Sequence, residues 1–174
     1  ISEGPGEDPY LGARFARAKV RGLQNDRTSP QNYVAACLKH YVAYGACEAG
    51  RDYNTVNLAT SLLHNVYLQP FREAVDEGAV SLMAAFNDLN GVPCTVNPYL
   101  LDEVLRQTYG FQGMVVSDAN AIKECVVHGI AADDHDAGCQ ALKAGLDMDM
   151  GTSIYKRNLA EAIRRQDIDQ EVLD

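Results

Sequence analysis

The sequence lacks the features that mark several common classes of protein. Its five cysteines, at positions 37, 47, 94, 125 and 139, form no Cys-x-x-Cys pair, so the spacing supports neither a disulfide framework nor a zinc site. The 15 Lys and Arg residues are outnumbered by 24 Asp and Glu, and no basic patch offsets the net charge of -9. This balance argues against a nucleic-acid partner. No apolar run approaches the ~18 residues of a membrane-spanning helix, so no membrane partner is expected.

Sites for phosphate groups and metal ions are also missing or weak. No predicted strand is followed by the glycine-rich fingerprint of a phosphate-binding loop. The stretch Asp133-Asp-His-Asp136 has metal-binding residue types, but it stands just before a helical pattern. We interpret it as a loop with a helix N-cap, a common position for Asp. We therefore expect no metal and no cofactor.

The sequence does contain a regular alternation of strands and helices. Predicted strands lie near residues 34–40, 79–86, 113–118 and 146–150, with helical patterns between them. Continuous apolar strands of this kind suit a parallel sheet covered on both faces. A complete (β/α)8 barrel has eight such units and typically ~250 residues, whereas this chain has 174. We therefore predict an α/β fold of about four parallel βα units, an incomplete part of a TIM-type barrel.

Helix boundaries are marked by residues with known capping preferences. Asp8 is a suitable N-cap and Pro9 a suitable first residue for the first helix. The helical pattern of residues 58–77 contains Pro70, which must kink it or begin a second segment. Asn97 and Pro98 start a further helix.

Polar residues close the predicted strands. Lys39 and His40 end the first, Asn87 follows the second, and Ser117 and Asp118 end the third. Parallel sheets carry their chemistry at the carboxyl edge, so these side chains are expected to lie close together. Asp118 is either a catalytic nucleophile or a simple cap of the next helix. The aspartates of the fourth strand, Asp147 and Asp149, suit structural hydrogen bonding better.

The order of short motifs resembles that of the family 3 glycoside hydrolases. The similarity runs from Gly4 to the C-terminus and covers nearly the whole chain. In chain order, the motifs are Gly6-Glu-Asp-Pro-Tyr-Leu11, Lys39-His40, Gly50-Arg-Asp-Tyr-Asn54, Ser81-Leu-Met-Ala-Ala-Phe-Asn87, Gly91-Val-Pro93, Leu105-Arg106, Val116-Ser-Asp118 and Lys143-Ala-Gly-Leu-Asp-Met-Asp149. The segment Tyr44-Gly-Ala-Cys-Glu-Ala-Gly-Arg-Asp-Tyr-Asn54 is most similar to the bacterial periplasmic β-glucosidases of that family.

The resemblance implies a retaining β-glycosidase acting on β-linked glucosides or xylosides. The family's nucleophile corresponds to Asp118, and its pair of residues that bind sugar hydroxyls corresponds to Lys39 and His40. Met83 and Phe86 would line the subsite of the terminal sugar. Phe86 stands where Tyr is common and Ala119 where an aromatic residue is common, which removes a hydroxyl and a stacking surface.

The resemblance also implies a larger protein. Residues 1–174 would form the C-terminal part of the barrel domain, truncated at both ends, because the family's upstream sugar-binding Asp and Arg would precede Ile1. The rest of the barrel and a following domain would be its partners, together with a carbohydrate substrate. A periplasmic or secreted location is favoured, although no signal peptide is visible in the sequence.

The general acid is the harder assignment. Retaining hydrolysis requires a second carboxyl group ~5–5.5 Å from the nucleophile, and adjacent cations help the nucleophile to stay ionised. Many members of the family carry the acid in a following domain. Glu124, on the loop after Asp118, is the candidate within this chain. Arg51 is a candidate sugar ligand, and a surface ion pair explains it equally well.

Two other functions remain open at this stage. A barrel with Lys39 at a strand end could be a Schiff-base aldolase, if that amine is desolvated. His40 and the Ser117-Asp118 ending suit sugar binding better. The chain could also be a non-catalytic carbohydrate-binding relic.

Overall fold

A short parallel sheet forms the centre of the molecule. The computed structural model describes residues 4–25 and 32–172. Strands β1 (Cys37–Tyr41), β2 (Ser81–Ala84) and β5 (Met114–Val116) run parallel in the order β1-β2-β5. The antiparallel strands β3 (Asp88–Leu89) and β4 (Val92–Pro93) form a separate hairpin. The predicted α/β class with parallel strands is confirmed, and closure into a (β/α)8 barrel stays a prediction.

The fourth predicted strand is reduced to a single bridge, in which Met148 pairs with Val116. The physical reason is the neighbouring aspartate. The Asp147 carboxylate accepts the backbone N–H of Val115 at 2.6 Å, and it also accepts a bond from Arg106 Nη2 at 2.7 Å. A side chain thus occupies a donor that a regular ladder would give to a backbone carbonyl. The structural role predicted for Asp147 is confirmed.

Helices follow the strands in the predicted order. They are α1 (Pro9–Leu23), α2 (Thr60–Leu62) with a π-helical continuation (Leu63–Tyr67), α3 (Gln69–Asp76), the π helix (Tyr99–Thr108), α4 (Ala121–Val127), α5 (Asp134–Lys143) and α6 (Ile154–Arg164). Short 3₁₀ turns cover Tyr44–Ala46, Glu48–Gly50, Cys94–Val96 and Gln170–Val172. Along the ranges 4–25 and 32–172, none of the helices has the length and apolar character needed to cross a membrane.

Capping residues act as predicted. The Asp8 carboxylate accepts the N–H of Tyr10 at 2.9 Å at the start of α1. The second segment of the 58–77 pattern begins as α3 at Gln69, with Pro70 in its first turn. Asp133 caps α5 by accepting the N–H of Asp136 at 2.9 Å. Within the described ranges, no group of three or more His, Cys, Asp or Glu side chains is arranged to hold a metal ion.

The core lies on one face of the sheet. Leu82 and Val115 are fully buried there, in one cluster with side chains of the π helix, α4 and α5. On the other face, Met114 is 43% exposed and Met148 is 47% exposed, whereas Val116 is buried. The described part of the chain therefore covers one sheet face with helices and leaves the other partly bare.

A glycine permits the close approach of β5 to the chain before β2. A Cβ atom at Gly113 would lie 2.2 Å from the carbonyl oxygen of Val80, far inside van der Waals contact. The next residue, Met114, donates its N–H to that same carbonyl at 3.0 Å. Gly113 thus sets the start of the strand that leads to Asp118.

Candidate active site

Asp118 lies two residues beyond the end of β5 and is 8% exposed. Its Oδ1 accepts the N–H of Ala119 at 2.7 Å. Its Oδ2 is buried, accepts no hydrogen bond among the described residues, and lies 3.4 Å from Nε2 of His40. One carboxylate oxygen is therefore held by a backbone N–H. The other lies beside an imidazole and accepts no hydrogen bond from the described residues. A group that only capped the next helix would direct its oxygens to the first-turn N–H groups.

The turn that carries Asp118 is held by the segment after α5. Ser117 donates its N–H to the carbonyl of Met148 at 2.9 Å, and its Oγ accepts the N–H of Met150 at 2.9 Å. Asn120 donates its N–H to the carbonyl of Met150, also at 2.9 Å. Bonds on both sides of Asp118 thus fix its backbone. Asp149 completes this frame by accepting the N–H of Ile154 at 2.6 Å, which confirms its structural role.

His40 approaches Asp118 across the width of the sheet. It belongs to β1, which is separated from β5 by β2. The contact between His40 and Asp118 confirms the expectation that these strand ends share one edge. Lys39, the preceding residue, is exposed. An exposed amine is not the desolvated nucleophile that a Schiff-base aldolase requires, so this feature disfavours that alternative.

Aromatic rings continue outward from His40. The ring of Tyr44 lies 5.1 Å from that of His40 and 6.3 Å from that of Phe86, measured between centroids. Tyr53 meets Phe86 edge-on at 4.5 Å. Met83 lies near the end of β2 and Phe86 lies two residues beyond it. Both were predicted to line a sugar subsite, and both are half-buried. The structure thus brings Phe86 into one cluster with His40.

Sequence analysis did not identify Tyr44 and Tyr53 as neighbours of His40 and Phe86. Both were visible in the segment of residues 44–54, as the aromatic residues flanking its glycines. Their proximity to His40 depends on how the loop folds back, which no residue period indicates. Burial, followed by a hydrogen bond to the Asp52 carboxylate, raises the pKa of Tyr44 well above its usual value. Tyr44 is therefore a neutral hydroxyl donor at physiological pH.

The two remaining candidates are placed differently. Arg51 is exposed on the same loop as Tyr53. Glu124 lies in α4, in the first turns after Asp118, and is half-buried. Burial raises the pKa of Glu124; the positive charge of His128 opposes that rise and the negative charge of Asp118 adds to it. A carboxyl group that keeps its proton to higher pH has the character of a general acid.

Comparisons with known proteins show which proteins this chain is similar to. The chain is 42% identical over 173 residues to a periplasmic beta-glucosidase of Salmonella typhimurium, covering 99% of this chain and 23% of that relative. It is 40% identical over 154 residues to a beta-xylosidase of Formosa agariphila, covering 86% of this chain and 21% of the relative. The chain thus spans about a quarter of the length of the relatives it matches.

Solved structures show the same fold. The crystal structure of a beta-glucosidase from Listeria innocua in complex with glucose matches with a TM-score of 0.96 and 38% identity, over 98% of this chain and 24% of that one. The profile described as the glycosyl hydrolase family 3 N terminal domain matches residues 2–174. Because that match to the N-terminal domain of the family extends over nearly every residue, the chain belongs to glycosyl hydrolase family 3.

Proposed function

We propose that the whole protein is a retaining β-glycoside hydrolase of the β-glucosidase or β-xylosidase type, with Asp118 as its nucleophile. The observation that carries the proposal is the buried Oδ2 of Asp118, which has no hydrogen-bond donor among the described residues and lies 3.4 Å from His40 Nε2. An unoccupied oxygen at a sheet edge is available to attack a carbon atom. Relatives named beta-glucosidase and beta-xylosidase support the substrate class.

In the first step, Oδ2 of Asp118 attacks the anomeric carbon of a terminal β-linked sugar. The bond from that carbon to the leaving oxygen breaks, and a general acid supplies the proton that this oxygen takes up. The product is a glycosyl-aspartate ester. In the second step, the residue that acted as general acid now acts as general base and removes a proton from water. The water oxygen attacks the anomeric carbon, and the Asp118 carboxylate leaves.

The other site residues have supporting roles in this proposal. Lys39 and His40 donate hydrogen bonds to sugar hydroxyls, and His40 lies against the Asp118 carboxylate. Met83 and Phe86 line the position of the terminal sugar. Glu124 is the acid/base candidate within this chain, and the raised pKa that follows from its burial supports that role. Arg51 is proposed as an outer sugar ligand.

The proposal extends to the surroundings of the site. The bare sheet face, with Met114 and Met148, is proposed to be covered by the remaining strands of a (β/α)8 barrel, since relatives of the chain are about four times as long. A further domain of the full-length chain is a second partner. A periplasmic or secreted location is proposed because one relative is named a periplasmic enzyme.

Trapping of the intermediate tests the nucleophile. An activated 2-fluoro glycoside should label the full-length enzyme, and peptide mapping should place the label on Asp118. In Asp118→Gly, turnover of an aryl β-glucoside should fall by at least about 10⁴-fold. Azide should restore part of it by entering the vacated position, whereas chloride at equal ionic strength should not. A label on another residue would end the assignment.

A further inference from the structure

Tyr53 presents an aromatic ring to solvent from a fixed position. Tyr53 is 49% exposed, and its backbone adopts the left-handed region, with φ 62. The loop after it is tied down, because Thr55 Oγ1 donates to Asp88 Oδ1 at 2.8 Å and Val56 N donates to the carbonyl of Asp88 at 3.0 Å. An exposed aromatic residue on an anchored loop is an open apolar surface that the described part of the chain does not cover.

The ring of Tyr53 is connected to the nucleophile through other rings. It meets Phe86 at 4.5 Å, with an interplanar angle of 72°, and lies 6.5 Å from Tyr44. Tyr44 in turn contacts His40, which lies against Asp118. Exposure rises along this path from the buried Asp118 to the half-exposed Tyr53. The path therefore leads from the site of bond cleavage toward solvent.

The order of sugars along this path follows from the chemistry. The sugar that forms the ester must lie at the buried end, with its anomeric carbon beside Asp118. The sugar on the other side of the cleaved bond then lies nearer the solvent end. Tyr53 remains 49% exposed beside this T-shaped contact with Phe86, so part of its surface is open to a ligand. Arg51 and Asp52 precede Tyr53 in the same loop and are both exposed.

We infer that Tyr53, supported by Phe86, is the stacking platform for the saccharide unit that leaves. This inference rests on the proposed function and names the leaving group as a pyranose ring, so that the substrate is an oligosaccharide or disaccharide. The apolar C–H face of a pyranose packs against the ring, while its hydroxyls meet the polar groups of Arg51 and Asp52. Tyr53 thus sets the preference for the leaving group and not for the sugar that is transferred.

The experiment compares two substrates of the full-length enzyme. A β-linked disaccharide carries a sugar at the platform, whereas the corresponding β-glycosyl fluoride has a leaving group too small to reach it. In Tyr53→Ala, the ratio of kcat/KM for the disaccharide to kcat/KM for the fluoride should fall about tenfold. Tyr53→Phe keeps the ring and should hold the ratio within about threefold. Tyr10→Ala removes another exposed ring, on α1, and should not change the ratio.

Each result has a definite meaning. An unchanged ratio in Tyr53→Ala overturns the platform, and so does an equal fall for both substrates, which would show a role at the transferred sugar or in folding. An equal fall of the disaccharide-to-fluoride ratio in Tyr10→Ala would also overturn the platform. Failure of the proposed function looks different, because the wild-type enzyme would then hydrolyse neither substrate, or Asp118→Gly would hydrolyse both at the wild-type rate.

Discussion

Glu124 can be tested as the acid by the leaving group it has to protonate. Good leaving groups depart without a proton, whereas poor ones need one. If Glu124 is the acid, then Glu124→Ala should retain most of the glycosylation rate for a dinitrophenyl glycoside and lose about 10²–10⁴-fold for a simple alkyl glycoside. Rates for a series of aryl glycosides would show this as a steeper dependence on leaving-group pKa. An unchanged slope would place the acid elsewhere in the full-length protein.

The protonation of Glu124 also predicts a dependence of stability on pH. Burial raises the pKa of Glu124 in the folded state. The unfolded chain releases this proton near the ordinary value of about 4.3, so folded stability is lost as pH rises from there to the folded pKa. Glu124→Gln has no carboxyl group to ionise, so the variant does not lose this stability as pH rises. The melting temperature of the variant relative to wild type should therefore be higher at pH 7 than at pH 3.5, and equal differences at both pH values would contradict the prediction.

The residues of the site differed in how far sequence could reveal them. Asp118 and His40 follow apolar strands, so the rule that parallel strands end at one edge was sufficient to predict their contact. Tyr44 and Tyr53 lie in a loop of irregular backbone with left-handed residues, and loop direction has no periodic signal. The rings of Tyr44 and Phe86 became neighbours only through that loop.

At the scale of the element, the start of β5 depends on the absence of a side chain. In Gly113→Ala the new Cβ would overlap the Val80 carbonyl, so β5 must shift and strain the bond from Met114. We expect a loss of about 1–3 kcal/mol in the free energy of unfolding, with a lower kcat, because Asp118 follows this strand. Chemical denaturation and steady-state kinetics measure both effects.

Gly22 in helix α1 provides the matched control. A Cβ there would meet nothing within 4 Å, and its φ lies outside the left-handed region. Gly22→Ala should therefore leave kcat unchanged and raise stability by up to about 1 kcal/mol, as expected for alanine in a helix. If both glycine variants behaved alike, steric overlap would not explain the effect at Gly113.

The elements themselves were largely predictable, apart from the fourth strand. Caps at Asp8 and Asp133 and the restart of a helix near Pro70 follow from local rules, and local rules do not depend on distant contacts. The strand predicted at 146–150 is reduced to one bridge because the Asp147 carboxylate takes the Val115 N–H, although backbone groups of Asp147, Met148 and Met150 still bond to residues 115–120. A pattern of apolar and polar residues cannot show that Asp147 would bond to Val115 and Arg106.

At the scale of the whole molecule, the sheet formed by the described residues has an open edge. The β1 edge carries no neighbouring strand on its outer side among the described residues, and Met114 and Met148 are exposed on one face. Open strand edges and apolar faces promote association. When prepared alone, the polypeptide of residues 1–174 should aggregate or bind a hydrophobic dye such as ANS, and should not hydrolyse an aryl β-glucoside. A monomer that melts cooperatively and turns over the glycoside would refute this.

The bonds between the Ser117–Asn120 turn and Met150 also impose an order on synthesis. A ribosome makes His40 early and Asp118 much later, yet the turn that holds Asp118 is complete only when Met150 can supply its N–H and carbonyl groups. A nascent chain that has exposed Asp118 but not Met150 therefore carries the carboxylate on an unanchored turn. Translation arrested between Glu124 and Met150 would yield a chain that contains both proposed catalytic residues, while the turn that positions Asp118 is still unformed.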